Sequence, residues 1–231
     1  MMLFFSLVLW AWHEASFLGS WAFWGLAHKR GWFSNRRIDN GKEPPAPLYR
    51  RGVLEVLGSH LLFPGMMALI YIPWLHQGGR FSGVPSFGEL FGHLALFYLF
   101  NETFFYWTHR LLHHKKLFRL IHRKHHQWRH VRGISAEHAH VVETLLNFVA
   151  FWGAPVALGS HFVVLQVWVV IRIVETVHAH SGFTVDGPAS RHAFHHRYPT
   201  KGCLGSFWGP WDRIMGTDKA WRAWKDAENN A

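Results

Sequence analysis

Between His109 and His126 the chain reads His-Arg-Leu-Leu-His-His-Lys-Lys-Leu-Phe-Arg-Leu-Ile-His-Arg-Lys-His-His. His109 and His113 stand four residues apart, as do His122 and His126, with His125 one step before the last. On a helix, residues three and four apart share a face, so each set can turn its imidazoles toward one point. Further along, His192, His195 and His196 repeat the spacing of His122, His125 and His126. Neutral imidazole is a ligand for iron, zinc, copper and nickel, and several rings must converge to hold an ion against water. A spacing that recurs in two distant clusters predicts a shared metal centre. A polybasic surface for anionic lipid headgroups would explain Lys115, Lys116, Arg119, Arg123 and Lys124, but it gives no reason for the recurrence.

The chain holds 20 histidines, and not all can be ligands. His13, His28, His60, His76, His93 and His161 are isolated in or beside apolar segments and read as packed or interfacial. His114 and His130 sit among basic residues without an unclaimed partner. In Ser135-Ala-Glu-His-Ala-His140 and Glu175-Thr-Val-His-Ala-His-Ser-Gly182, histidines flank an apolar region at both ends. His180 joins the expected ligands, and His140 and His178 are further candidates. Glu143 and Glu175 could orient a ring by accepting its other N–H; helix capping or pairing with arginine would use them equally well. One ion takes at most about six ligands, so this many histidines implies two ions. The chain has no His-Glu-x-x-His, no Gly-x-Gly-x-x-Gly and no P-loop, which argues against a zincin protease and against a bound nucleotide or flavin. Redox-active metals would therefore draw electrons from a separate protein, and the basic face suits an acidic donor.

Composition indicates where such a site sits. Aromatic residues make up 17% and charged residues only 16% of 231 residues, with 14 tryptophans. A net charge of +10 would point to nucleic acid in a soluble chain. Apolar segments offer a better account, because basic residues of membrane proteins collect in cytoplasmic loops. The single cysteine, Cys203, excludes an intrachain disulfide and a cysteine-based zinc site.

One membrane domain over 1–231 is expected, all-α, a helical bundle with about three spanning helices plus a hairpin, capped by the histidine site. Residues 1–27 read as a retained anchor helix, with His13 and Glu14 either facing protein or marking a shallow path. Residues 28–52 form a basic, proline-containing linker, and 53–107 hold two more spans, at about 53–75 and 89–107. The histidine region runs over 108–218 and includes an apolar hairpin at 141–175, divided by Gly153, Pro155, Gly159 and Ser160. A polar tail, 219–231, closes the chain. Of 24 Lys and Arg, seven lie in 28–52, eight in 108–132 and eight from Arg172 onward, leaving only Arg80 elsewhere. With the hairpin returning to its own side, every basic block falls on one face, which the positive-inside rule makes cytoplasmic. Both a bacterial inner membrane and the endoplasmic reticulum are compatible.

The run from His109 through His126, then Ala139-His-Val-Val-Glu143, Glu175-Thr-Val-His-Ala-His-Ser-Gly182, His192-Ala-Phe-His-His196 and Trp211-Asp-Arg-Ile-Met-Gly-Thr217, resembles the fatty acid hydroxylase superfamily. That superfamily includes sterol desaturases and C-4 methylsterol oxidases, and the resemblance covers about 95–218. It implies an integral membrane, non-haem di-iron enzyme. Such an enzyme uses O2, with electrons from a cytochrome b5-like or ferredoxin-like donor and its reductase, to hydroxylate or desaturate a lipid. Zinc can replace the iron on purification. By motif, His109 and His113 match the first box, His122, His125 and His126 the second, His180 the histidine before Ser-Gly, and His192, His195 and His196 the last. Three positions depart. Thr176 stands where hydroxylases often have the first histidine of His-x-x-x-His, so His178 or His140 is left for a tenth ligand. Val141-Val142 replaces Pro-Leu, and Cys203-Leu-Gly replaces Asn-Phe-Gly. The rival reading is a non-enzymatic membrane binder of haem, metal or anionic lipid. Haem uses only one or two axial histidines and leaves most of the cluster unexplained.

Overall fold

The computed structural model describes residues 1–38 and 42–229, and helices dominate it. In chain order they are α1 (Met2–Arg30), α2 (Ala46–His60), α3 (Phe63–His76), α4 (Phe87–Leu112), α5 (Lys115–Leu117), α6 (Val141–Ala157), α7 (Phe162–Ala179), α8 (Gly187–Arg197), α9 (Pro210–Met215) and α10 (Lys219–Asn229). The single turn of α5 runs into a π turn at Phe118–His122, and short 3₁₀ turns occupy His125–Gln127 and Gly133–Glu137. No strand forms among the described residues beyond one bridge between Arg37 and Phe183.

Local chemistry sets the boundaries. α1 stops at Gly31, whose φ of +69° lets the chain fold back so that Gly31 and Trp32 N–H reach the carbonyls of His28 and Ala27. Ser86 caps α4 by accepting from Glu89 N at 3.1 Å, and Asp186 caps α8 by accepting from Ala189 N at 2.8 Å. Histidines cap the other two: His140 Nδ1 accepts from Val142 N, and His161 Nδ1 from Val163 N. Between α6 and α7 the turn at Gly159 (φ +49°) passes so near Gln77 O that a Cβ would sit 1.9 Å from it.

α1 packs along α3 and α7, while α4 packs along α6. Phe5, Tyr71, Trp74, Phe81 and Phe162 form an aromatic cluster at one end of the α1–α3–α7 set. Outward-facing Leu54, Leu61, Leu62, Leu69 and Ile72 are exposed, the pattern of a surface that meets lipid.

Three helical stretches are long and apolar enough to cross a membrane: Met2–Arg30, Ala46–His76 taken through the break at Leu61 and Leu62, and Phe162–Ala179. The first two match expectation. The expected span at 89–107 is the central part of α4, which is not among the three because His93, Asn101 and Glu102 interrupt its apolar run. The second half of the expected hairpin, α7, is long enough to be a span in its own right.

Candidate metal centre

Nine histidines converge in two adjoining groups. His109, His113, His122, His126 and His195 form one, and His125, His180, His192 and His196 the other, with the ligand atoms of each group within 4.8 Å of one another. Both repeated clusters feed both groups. α8 is a regular helix, so His192 and His196 point together one turn apart while His195 reaches across to His126 (Nε2 to Nε2, 3.1 Å). The corresponding stretch from His122 to His126 is not a regular helix: the π turn ends at His122 and a 3₁₀ turn begins at His125. A π turn inside a helical path is a common mark of a functional site. His109 lies in the last turn of α4 and His113 is its first residue beyond. The His126 and His196 ring centroids are 4.8 Å apart, so the groups share a wall.

The ring nitrogens show what these groups require. A backbone carbonyl only accepts hydrogen bonds, so any ring nitrogen bonded to one must carry the proton. His109 Nδ1 donates to Leu204 O (2.9 Å), His125 Nδ1 to His138 O (3.3 Å), His180 Nδ1 to Thr176 O (2.8 Å), His195 Nδ1 to Gly202 O (2.8 Å) and His196 Nδ1 to Trp128 O (3.0 Å). His122 Nδ1 donates to Glu143 Oε1 at 2.9 Å. In each neutral ring Nε2 is then a bare lone pair. Yet His109 and His122 face each other Nε2 to Nε2 at 2.9 Å, and His125 and His180 do so at 3.4 Å. Two bare acceptors do not bond each other, and a cation between the rings would satisfy both. Protons do not suit. Burial, and then neighbouring imidazoles, hold His109, His113 and His195 down to about 3, and burial holds His180 down to about 4. His113 Nε2 is buried with no hydrogen-bond partner. The donor set fits two metal ions with almost wholly nitrogen coordination.

The two remaining candidates lie outside both groups. His140 caps α6, and His178 Nε2 meets the Asp186 carboxylate. Thr176 supplies its carbonyl to His180. Of the two uses open to these carboxylates, Glu143 meets the His122 ring, whereas Glu175 pairs with Arg172 and Tyr98.

A cavity of about 440 Å³ opens onto the centre, at the low end of the range for small-molecule sites. Phe63, Met66, Phe105, Phe148, Phe151 and Trp152 give it apolar walls, and His109, His122, His125, His180 and His192 reach it from the metal groups. Phe105, on α4, is part of that lining. Phe104 and Trp107 line a separate surface groove beside Leu111.

Sequence reasoning missed the support beneath the first group. Gly202 O and Leu204 O, which fix His195 and His109, lie on the 202–209 loop. Buried Asp212 holds that loop through Leu204 N and Gly205 N (2.8 Å each) and the Thr217 hydroxyl (2.6 Å). Buried Glu102 accepts from Phe207 N (2.9 Å), Trp208 N (3.2 Å) and Gly209 N (3.3 Å). A carboxylate inside the apolar run of α4 was the available signal. Cys203 has a φ of +62°, a left-handed conformation that asparagine adopts more readily than most residues.

Two outcomes follow at the site. Replacing Glu143 by alanine frees the His122 ring and should weaken metal binding about 10–100-fold, measurable by competition with a chelator. Acid should strip the metal. Because the folded-state values of His109, His113, His195 and His180 lie below the ordinary 6.5, the unfolded chain takes up protons that the folded site refuses. Stability and metal retention are therefore full above about pH 6.5 and fall as pH drops toward about 4. Unchanged metal content across that window would contradict the neutral-imidazole account.

The fatty acid hydroxylase family model matches residues 94–217, which hold all nine histidines. Methylsterol monooxygenase 2-2 of Arabidopsis thaliana is 30% identical over 94% of this chain and 87% of its own length. Very-long-chain aldehyde decarbonylase GL1-8 of Oryza sativa subsp. indica is 31% identical over 94% of this chain and 85% of its own. Methylsterol monooxygenase 1 of Rattus norvegicus is 37% identical over a shorter stretch, 54% of this chain and 46% of its own. No solved structure matches. The histidine spacing, the convergence of the rings and the likeness to these enzymes over nearly the whole chain agree, and the chain belongs to the fatty acid hydroxylase family.

Proposed function

We propose that the protein is a membrane oxygenase that inserts oxygen into, or removes hydrogen from, a lipid held in the apolar cavity. The substrate class is sterol-like or fatty acyl, and the electrons come from a separate cytochrome b5-like or ferredoxin-like donor. The observation that carries this reading is the pair of buried groups of neutral imidazoles, bare Nε2 atoms converging, at the end of an apolar cavity. When bound there, two irons would supply the reductive activation of O2. His109, His113, His122, His126 and His195 would hold one ion, and His125, His180, His192 and His196 the other.

The chain's own groups have definite tasks. The carbonyls of Leu204, Gly202, Thr176, Trp128 and His138, with Glu143, hold Nδ1 of six of the nine rings, so that these six present their other nitrogen inward. Phe63, Phe105, Phe148 and Phe151 seat an unactivated hydrocarbon and exclude water. The balance is one C–H and one O2, with two electrons and two protons from the donor, giving an alcohol and water. Loss of a second hydrogen in place of oxygen insertion gives an alkene and two waters. The basic blocks flanking the histidines favour a site on the cytoplasmic face and an acidic donor. The two decarbonylase and monooxygenase likenesses are nearly equal, so a long-chain aldehyde is a second substrate class to be screened beside sterols and acyl lipids.

Incubating the detergent-purified chain with each class, a reducing system and ¹⁸O2 tests the reading. An oxidised product carrying the label, or an alkene formed only with O2, is expected. Turnover that persists without O2 would sink the oxygenase reading.

A further inference from the structure

A third set of convergent ligands lies apart from the nine histidines. His13 sits midway along α1, His60 ends α2, and Glu137 ends the 3₁₀ turn that precedes His138; their ligand atoms lie within 4.8 Å of one another. The sequence alone made His13 and His60 packed or interfacial residues. In the fold they are 1% and 3% exposed, with ring centroids 4.9 Å apart and planes crossing at 85°.

Each ring is held between two carboxylates. His13 Nε2 is 3.0 Å from Glu137 Oε1, and His60 Nε2 is 3.0 Å from Glu137 Oε2. Behind them, His13 Nδ1 is 3.1 Å from Glu14 Oε1 and His60 Nδ1 is 3.1 Å from Glu14 Oε2. Carboxylates only accept hydrogen bonds. If both Nδ1–H groups donate to Glu14, two bare Nε2 atoms point at Glu137, and acceptor meets acceptor twice. Added protons on the rings or the carboxyls resolve this, and so does one ion among the three ligands. Two imidazoliums beside two carboxylates would place two separate positive charges on fully buried rings, a costly arrangement. One divalent ion balances the same two carboxylates and leaves both rings neutral.

We propose that His13, His60 and Glu137 form a third metal site for a divalent first-row cation, with Glu14 orienting both imidazoles. Two histidines and one carboxylate are a ligand set used by zinc and by non-haem iron(II). A carboxylate on the far nitrogen of each ring is the usual companion of metal-bound histidine. All three ligands also line the cavity, which leaves a coordination position open to a molecule inside it. The site joins α1 and α2 to the turn leading into His138, whose carbonyl receives the His125 Nδ1–H. It stands whether or not the nine histidines hold iron.

Zinc is the probe. The full chain in detergent, equilibrated with zinc and freed of excess, should retain about one equivalent more than His13→Gln or His60→Gln, and His125→Ala should keep that equivalent. A failure of the nine-histidine reading would instead leave the wild type with only the His13-dependent equivalent. Anomalous scattering at the zinc edge from wild-type crystals needs no variant. It should place a peak about 2.0–2.2 Å from His13 Nε2, His60 Nε2 and a Glu137 oxygen. Equal zinc in wild type and His13→Gln, or a map with density only at the nine histidines, would overturn the proposal.

Discussion

His195→Ala and His125→Ala are each expected to abolish turnover and to strip metal from the group that loses the ring. The two positions are chosen because one lies in each group. His195 links its group through Nε2 to His126 at 3.1 Å and is anchored by Gly202 O at 2.8 Å; alanine removes the ligand and leaves that carbonyl without its donor. His125 does the same for the second group, where its Nε2 faces His180. Losing a residue that only orients a ligand costs about 10–100-fold in affinity, so losing the ligand itself should cost more than about 100-fold. Under the proposed function both ions would supply electrons to one O2, so either variant should fall to background turnover while its helices still form by circular dichroism. Wild-type metal content in both variants would count against the assignment.

Asp212→Ala should produce the largest loss of stability outside the ligands themselves. The carboxylate is buried and accepts from Leu204 N, Gly205 N and the Thr217 hydroxyl. Alanine strands two backbone N–H groups, each worth about 1–3 kcal/mol when left unsatisfied, for a total of roughly 3–5 kcal/mol. The damage should also be local. The 202–209 loop carries the carbonyls that fix His195 and His109, and Gly202 itself, at φ +93°, packs so tightly that a Cβ would lie 1.9 Å from Thr217 O. A loosened loop should empty the five-histidine group before the four-histidine group. The measurement is thermal unfolding in detergent together with metal content. A wild-type midpoint with full loading would contradict this role, and Asp212→Asn, which keeps an acceptor, should fall between the two.

The converging histidines were legible because metal coordination would demand convergence, and helical spacing is how a chain writes convergence. His109 with His113 and the two His-x-x-His-His clusters could be paired without any knowledge of the π turn at Phe118–His122. Spacing could not divide the nine into a five and a four, because the division depends on α8 lying across the 118–127 stretch. His140 and His178 looked equally good in sequence, since a histidine beside a cluster carries no mark of direction; one caps α6 and the other turns to Asp186. Membrane helices were legible from hydropathy, except that α4 trades apolar length for Asn101 and Glu102, which hold Ala150 O and the 207–209 backbone. The His13, His60 and Glu137 set was out of reach, because its members are far apart in the chain and each alone has the look of a packed residue.

The most direct test of the central claim is elemental analysis with an absorption spectrum on the whole chain, purified in detergent under reducing, iron-replete conditions. About two irons per chain that depend on His125 and His195, beyond any ion held by His13, His60 and Glu137, and no Soret band, are expected of the paired histidine groups. Intact protein that binds no metal through these nine rings, or a Soret band in place of two irons, would contradict the account.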